Sequence, residues 1–428
     1  MKRGTWLDTL SAARGVLNLP ESTRDELAKF DDHLFAIWNL GENVLLGWTT
    51  SSDAVLLLSV RHHVIPDYSH AGSVASAWTD ERRRLINDIL SRPKYLKPEE
   101  FHRVRNLFPC KISAVRVGFR IENEQFSALV SDIVRRYSVS LVSNRAVLLL
   151  DVVGFSLQSP LDQLSTLNSL AYSVNSAYGQ LLSKDIKIDF ARTTTGDGFY
   201  IWNRGLTHGA NAELYKLMMM ILADNAIARR KASSQWVPRL RAAFHVGEHY
   251  EFHQVEGVNP TTFSYIVGQV TVDLARMLEG ARPGQILVGH FMTDGSHPVS
   301  GHPVRYDTPT FIENTAKTLD QLNGLDLSGG RITQIRCYLT GAGSPGGQFT
   351  VNRYYLRDKH STTRAVYNAR ISIHCQETEP IFLGIQHDDL QDFKIDSVES
   401  LSRDTTSTDP LSTTGSLLVR RSPKPVPG

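Results

Sequence analysis

The stretch RAVLLLDVVGFS, residues 145–156, constrains the fold more than any other. From Ala146 to Leu150 it is apolar without a break, as in a strand covered on both faces. It then runs into a carboxylate, Asp151, and a turn at Gly154. An ionised Asp at the end of a buried strand is costly unless something cationic compensates it. The fold must therefore bring a positive partner to residue 151 from elsewhere.

With 428 residues, two or three compact units are expected. The 46 basic and 44 acidic residues nearly cancel, which argues against a nucleic-acid partner or an acidic membrane surface while leaving a local anion site open. Three cysteines, Cys110, Cys337 and Cys375, show no CxxC spacing. A disulfide framework and a structural zinc are thus not expected, and a reducing, cytoplasmic setting fits. The longest obvious apolar run, LMMMILA at 217–223, is far short of the roughly 18 to 20 residues that span a bilayer, so neither secretion nor membrane insertion is expected.

Residues 1–135 mix helical patterns such as ERRRLINDIL with apolar segments and offer no legible chemistry. A new rhythm occupies 140–295. TPTFIENTAKTLDQLNGLDLSGG reads as a polar linker, 330–392 as a small β-rich domain, and the Ser/Thr/Pro-rich residues 396–428 as a disordered tail. Within the middle segment, Leu161, Leu164, Leu167, Leu170, Val174, Ala177 and Leu181 recur at helical spacing after the first strand. IKIDFA alternates as a strand, and Gly196-Asp197-Gly198 joins it to FYIW as a hairpin. A helix through AELYKLMMMILADNAIARRK and a strand in RLRAAFHV follow. The order βαββαβ predicts an α+β, ferredoxin-like core with helices on one face of an antiparallel sheet.

In that topology Asp151 and Asp197 become neighbours, although each alone also reads as a turn residue. Paired carboxylates repel, and a divalent cation between them reverses the penalty. Mg²⁺ or Mn²⁺ suits such oxygen ligands, and two ions would activate an attacking oxygen and neutralise a leaving phosphate. The tight turn after the strand would offer the backbone N–H groups of Phe155 and Ser156 to phosphate oxygens.

Residues 145–290 resemble the class III nucleotidyl cyclase catalytic domain in four blocks: LLLDVVGFS, TTTGDGFYIW, RLRAAFHVG and VGQVTVDLARMLEGARPGQILVG. The resemblance implies that Asp151 and Asp197, with the Val152 carbonyl, hold two metal ions. It further implies that Arg241 contacts phosphate, that Arg276 stabilises the transition state, and that the enzyme is a homodimer with its site between subunits. Adenylate-specific relatives carry Lys and Asp where this chain has Thr193 and Tyr265. Arg192 is a donor-only group that suits the two carbonyls of uracil, and Tyr265 could fill the base pocket. RTTTGDG also resembles the pyrimidine cyclases of the bacterial Pycsar antiphage systems, which implies a cyclic pyrimidine nucleotide, cUMP first and cCMP second, sensed by a separate effector. An adenylate cyclase and an inactive nucleotide-binding regulator stay open. The family's Asn falls on Val272, with Asp273 beside it.

HVGEH at 245–249, with His253 beyond, matches a zinc-protease pattern that requires a helix. The segment YYLRDKHSTTRAVYNARISI has a faint likeness to sensor-like domains and reads equally as packing.

Overall fold

The computed structural model describes residues 7, 20–51, 54–70, 76–119, 121, 124–205, 207, 209–233, 236–255, 262–296, 302–341, 349–358, 361–376, 378–390 and 393–401. Two compact units result. The first takes in Met1–Ser143 and His249–Val267, and the second Asn144–Glu248 and Gly268–Gly428.

The first unit contains α1 (Glu21–Trp38), β1 (Asn43–Thr50), β2 (Ala54–Arg61), α2 (Val64–His70), α3 (Ser76–Ser91), α4 (Pro98–Leu107), β3 (Lys111–Arg116) and α5 (Glu124–Arg135). Its antiparallel sheet has the order β1-β2-β3. The run AVLLLSVR in β2 is apolar on both faces because both are covered. Val55 and Leu57 join α1 and α5 in one core, whereas Leu58 and Val60 join α3 and α4 in another. The region is thus a three-layer arrangement.

The chain continues through β4 (Ser140–Val152), α6 (Pro160–Ser183), β5 (Phe190–Thr194), β6 (Gly198–Asn203), α7 (Ala210–Lys231) and β7 (Leu240–Val255). In the sheet these strands take the order β7-β4-β6-β5, the arrangement expected of a ferredoxin-like βαββαβ unit. Side chains alternate across a strand. Leu148, Leu150, Ile201, Ala242 and Phe244 accordingly share one core with α6 and α7, and Leu149, Asp151, Tyr200, Arg241 and His245 take the opposite face. Pro160 at the first turn and the Ser159 side chain accepting from the Asp162 N–H start α6.

Next come β8 (Thr262–Val267), which pairs with the end of β7 in the first unit, and α8 (Gln269–Glu279). The second unit is completed by β9 (Ile286–Gly289), β10 (Met292–Ser296), β11 (Pro303–Asp307), α9 (Thr308–Ala316), β12 (Asp326–Leu327), β13 (Gly330–Leu339), β14 (Phe349–Arg357), β15 (Thr363–Cys375), β16 (Ile381–Leu383) and β17 (Lys394–Leu401).

Four sequence expectations are corrected. Strand β5 begins at Phe190 rather than Ile186, because Ile188 is buried without joining the ladder. The stretch read as a linker forms α9 and a following turn, with Phe311, Ile312, Leu319 and Leu322 buried. The segment 330–392 is not a separate domain, since β15 pairs with β9 and extends the central sheet. Finally, β17 runs to Leu401 along β14, past the start of the tail predicted at 396. The rest of that tail, from 402 onward, lies outside the described residues. No helix among the described residues is long and apolar enough to cross a membrane.

Candidate active site

Asp151 stands at the end of β4 between two flanking segments. On one side it lies opposite Gly198 in the β4–β6 register, and the Val152 N–H donates to the Asp197 carbonyl oxygen at 3.0 Å. On the other, the Val153 N–H donates to the Arg239 carbonyl oxygen at 2.9 Å. The hairpin can come this close only because residue 198 is glycine: a Cβ there would sit 1.9 Å from the Leu150 carbonyl oxygen. Gly196, at φ +98°, supplies the left-handed backbone of the tip. Thr195 Oγ1 donates to Asp197 Oδ1 at 3.0 Å and orients that carboxylate. Thr194 Oγ1 accepts from the Gly196 N–H at 3.1 Å. A Thr-x-Asp spacing around a glycine is the sequence signal for such a turn, and it marks Thr195 as a positioning residue.

The protein's own cation at Asp151 is Arg241. Its Nη2 and Nε reach Asp151 Oδ2 at 2.5 and 2.8 Å, and its Nη1 donates to the Ala281 carbonyl oxygen at 3.3 Å. The sequence reading expects a metal ion as the positive partner of Asp151; Arg241, which the resemblance assigns to phosphate, is a second one from within the chain. The guanidinium alone does not balance the site. Burial raises the Asp151 carboxyl above the ordinary carboxylate value, Arg241 opposes that rise, and neighbouring Asp197 adds to it.

A raised carboxyl next to a second carboxylate, with only oxygen donors at hand, suits a hard divalent cation. Among the described residues no group of three or more His, Cys, Asp and Glu side chains could hold a metal. Two carboxylates and a main-chain carbonyl are what this turn offers, a set matched to ions that keep waters and phosphate oxygens. The fit therefore holds for the Asp151 and Asp197 carboxylates, and the Val152 carbonyl is the third oxygen that the resemblance implies.

The other predicted residues divide. Gly154, at φ +71°, leads into a short 3₁₀ turn over Phe155–Leu157, where Ser156 is exposed and the Phe155 ring packs on the core. Thr193 pairs with Tyr200 and faces the same side as Asp151. Arg192 does not, because adjacent strand residues point to opposite faces. It donates to Asn175 Oδ1 at 3.3 Å and lies 5.5 Å from the Phe199 ring, on the helix-covered face. Tyr265 belongs to β8 in the first unit, its ring stacked on Phe252 with centroids 5.7 Å apart. Arg276 is bound along its own helix to Glu279 Oε2 at 2.7 Å, and Val272, one turn earlier on α8, is 46% exposed. Asp273, beside Val272, is tied within the chain. It accepts from Arg364 Nε at 2.6 Å and from Gln269 Nε2 at 2.9 Å.

His245, read earlier as part of a zinc pattern, lies in strand β7 with Gly247 and Glu248, which removes the helix that reading needs. Its Nε2 is 4.0 Å from Asp273 Oδ2, and a Cβ at Gly289 would meet its Nδ1 at 2.2 Å. Burial pushes the imidazole down to about 4, against Asp273 and with help from His290. Because the folded value is depressed, stability is present above about 6.5 and is lost as pH falls through about 4. His245→Asn is expected to lose roughly 2 to 3 kcal/mol less stability than the parent on going from pH 7.5 to 4.5. Urea unfolding at the two pH values measures this, and equal losses in both proteins would refute it.

No protein-family model matches the chain, and no curated protein does. Solved structures overlap it. The guanylyl cyclase Cya2 is 10% identical at a TM-score of 0.32, covering 54% of this chain and 92% of its own. The adenylyl cyclase CyaB from P. aeruginosa is 11% identical at 0.32, covering 56% and 97%. The guanylate cyclase domain of RhGC from Catenaria anguillulae, in complex with GTP, is 13% identical at 0.30, covering 56% and 100%. At these identities and TM-scores the overlap lends no weight to an activity.

Proposed function

We propose that the second unit is a nucleotidyl cyclase that converts a ribonucleoside triphosphate to its 3′,5′-cyclic nucleotide and pyrophosphate. The observation that carries this reading is the meeting of Asp151, at the end of β4, with Asp197 in the β5–β6 turn, with Arg241 on the other side. In the reaction the 3′-oxygen forms a bond to the α-phosphorus, the bond to pyrophosphate breaks, and the 3′-hydroxyl proton leaves to solvent. When bound at Asp151, Asp197 and the Val152 carbonyl, Mn²⁺ or Mg²⁺ ions would neutralise phosphate charge and acidify the 3′-hydroxyl. The Phe155 and Ser156 N–H groups receive phosphate oxygens. Arg241 exchanges part of its hold on Asp151 for a phosphate oxygen, which favours the charge-dispersed transition state.

We place Arg276 in trans: in a homodimer, Arg276 of the partner subunit supplies a second guanidinium to the site that Arg241 already serves from within the protomer. Arg276→Ala is expected to lower turnover about a hundredfold. Mixing Arg276→Ala with Asp151→Asn protein is expected to restore part of the activity, because one of the two sites in a mixed dimer is then intact. No recovery on mixing would remove the shared site.

For the base, Thr193 on the site face carries no charge that reads a purine, and the RTTTGDG resemblance points to a pyrimidine. UTP is therefore our first substrate, with cUMP as a messenger in antiphage defence, made in the cytoplasm and sensed by a separate effector. Incubation with each of the four ribonucleoside triphosphates and Mn²⁺, read by mass spectrometry, tests this. Cyclic UMP as the main product is expected; cCMP or cAMP would replace the substrate. No cyclic product from any of them would favour an inactive regulator, a reading in keeping with the close Asp151–Arg241 pair.

A further inference from the structure

The first unit, for which the sequence offered no chemistry, contains an open cavity of about 470 Å³. That lies within the range of small-molecule sites, roughly 300 to 1,000 Å³. All its described lining residues belong to the first unit. Trp38, Tyr137 and Phe252 supply aromatic walls, and Ile86 and Leu90 an aliphatic floor. The Tyr137 hydroxyl is engaged with the buried Asp31 carboxylate, and its ring packs against Trp38 and Phe35, which fixes the aromatic wall in place. Opposite walls are tied together where the Tyr250 hydroxyl of β7 donates to Asn87 Oδ1 of α3 at 2.6 Å. The cavity is therefore braced rather than a gap between loose elements.

The polar lining is one-sided. Arg83, His62 and His253 border the cavity, with no Asp or Glu among its described lining residues. Arg83 and His62 are exposed, and Arg83 places a fixed guanidinium charge at the mouth above the apolar floor. A guanidinium pairs well with a carboxylate, sulfonate or phosphate, and an apolar floor prefers planar or aliphatic surface. No carboxylate among the described lining residues would favour a cationic ligand there.

We propose that this cavity is a binding site for a small aromatic anion, its ring body on the Trp38, Tyr137 and Ile86 surfaces and its acid group at Arg83. The site does not depend on the activity proposed for the second unit. Two probes that share a ring system and differ in charge test it on the full-length protein: 8-anilinonaphthalene-1-sulfonate and the neutral N-phenyl-1-naphthylamine, titrated by fluorescence. Saturable one-site binding is expected, at least tenfold tighter for the sulfonate. Arg83→Gln should remove most of that preference and leave the neutral probe unchanged, whereas Arg336→Gln on β13 should alter neither. Ile86→Trp, which fills the floor, should abolish both; if it does not fold, the Arg83→Gln result alone decides. Equal affinity for the two probes, or a sulfonate preference that survives Arg83→Gln, would overturn the assignment.

Discussion

Asp151→Asn is expected to reduce pyrophosphate release about a thousandfold, the scale at which removal of one preorganised charge-stabilising group is felt, compounded by loss of a metal ligand. The side chain keeps its shape and can still accept from Arg241, so the β4 end should stay in place. The carboxylate is also an energetic burden in the folded chain. Burial raises its pKa, opposed by Arg241 and reinforced by Asp197, so its contribution is present below the ordinary carboxylate value and lost as pH rises through the folded one. The variant should therefore be at least as stable as the parent near neutrality. Activity lost together with a sharply lower melting temperature would mean that Asp151 serves the fold instead. Undiminished activity would remove it from the chemistry.

Gly198→Ala is expected to be costly in a different way. The added methyl would overlap the Leu150 carbonyl oxygen, a backbone atom of a central strand that has no rotamer by which to withdraw. Either the β4–β6 ladder opens at its end or the strand shifts, with an expected loss of roughly 3 kcal/mol. Asp197 moves with the hairpin, so turnover falls even in molecules that remain folded. Thermal melting and the triphosphate assay measure the two effects separately. Gly196→Ala strains only a left-handed tip with nothing within 4 Å of the added atom, so it should cost about 1 kcal/mol and spare most activity. Equal behaviour of the two variants would contradict the close approach as the reason for Gly198.

The contrast between Arg192 and Thr193 shows where sequence reasoning stops. Both lie a few residues before Asp197, and both were candidates for the base, yet a strand turns neighbours to opposite faces. Arg192 goes to Asn175 and the Phe199 ring, and only Thr193 shares the face of Asp151. A one-residue difference in parity is invisible until the register is fixed. By the same logic the βαββαβ order was legible, because Leu170, Val174, Ala177 and Leu181 repeat at helical spacing and the Gly-Asp-Gly hairpin marks its own turn. Arg241 as the partner of Asp151 was not, since 90 residues separate them and only the placement of β7 beside β4 joins them. The first unit was least readable. Its β2 is apolar on both faces, a pattern that suits a buried helix turn as well as a strand, and its cavity exists only once five segments have packed.

The central claim is that two carboxylates, Asp151 at the end of β4 and Asp197 in the β5–β6 turn, share a divalent cation. Titration of the protein with Mn²⁺, followed by electron paramagnetic resonance of the free ion, tests it without reference to substrate or product. The account expects saturable binding in the parent that is lost in Asp151→Asn and in Asp197→Asn alike. Binding of equal strength in the doubly substituted protein would contradict it.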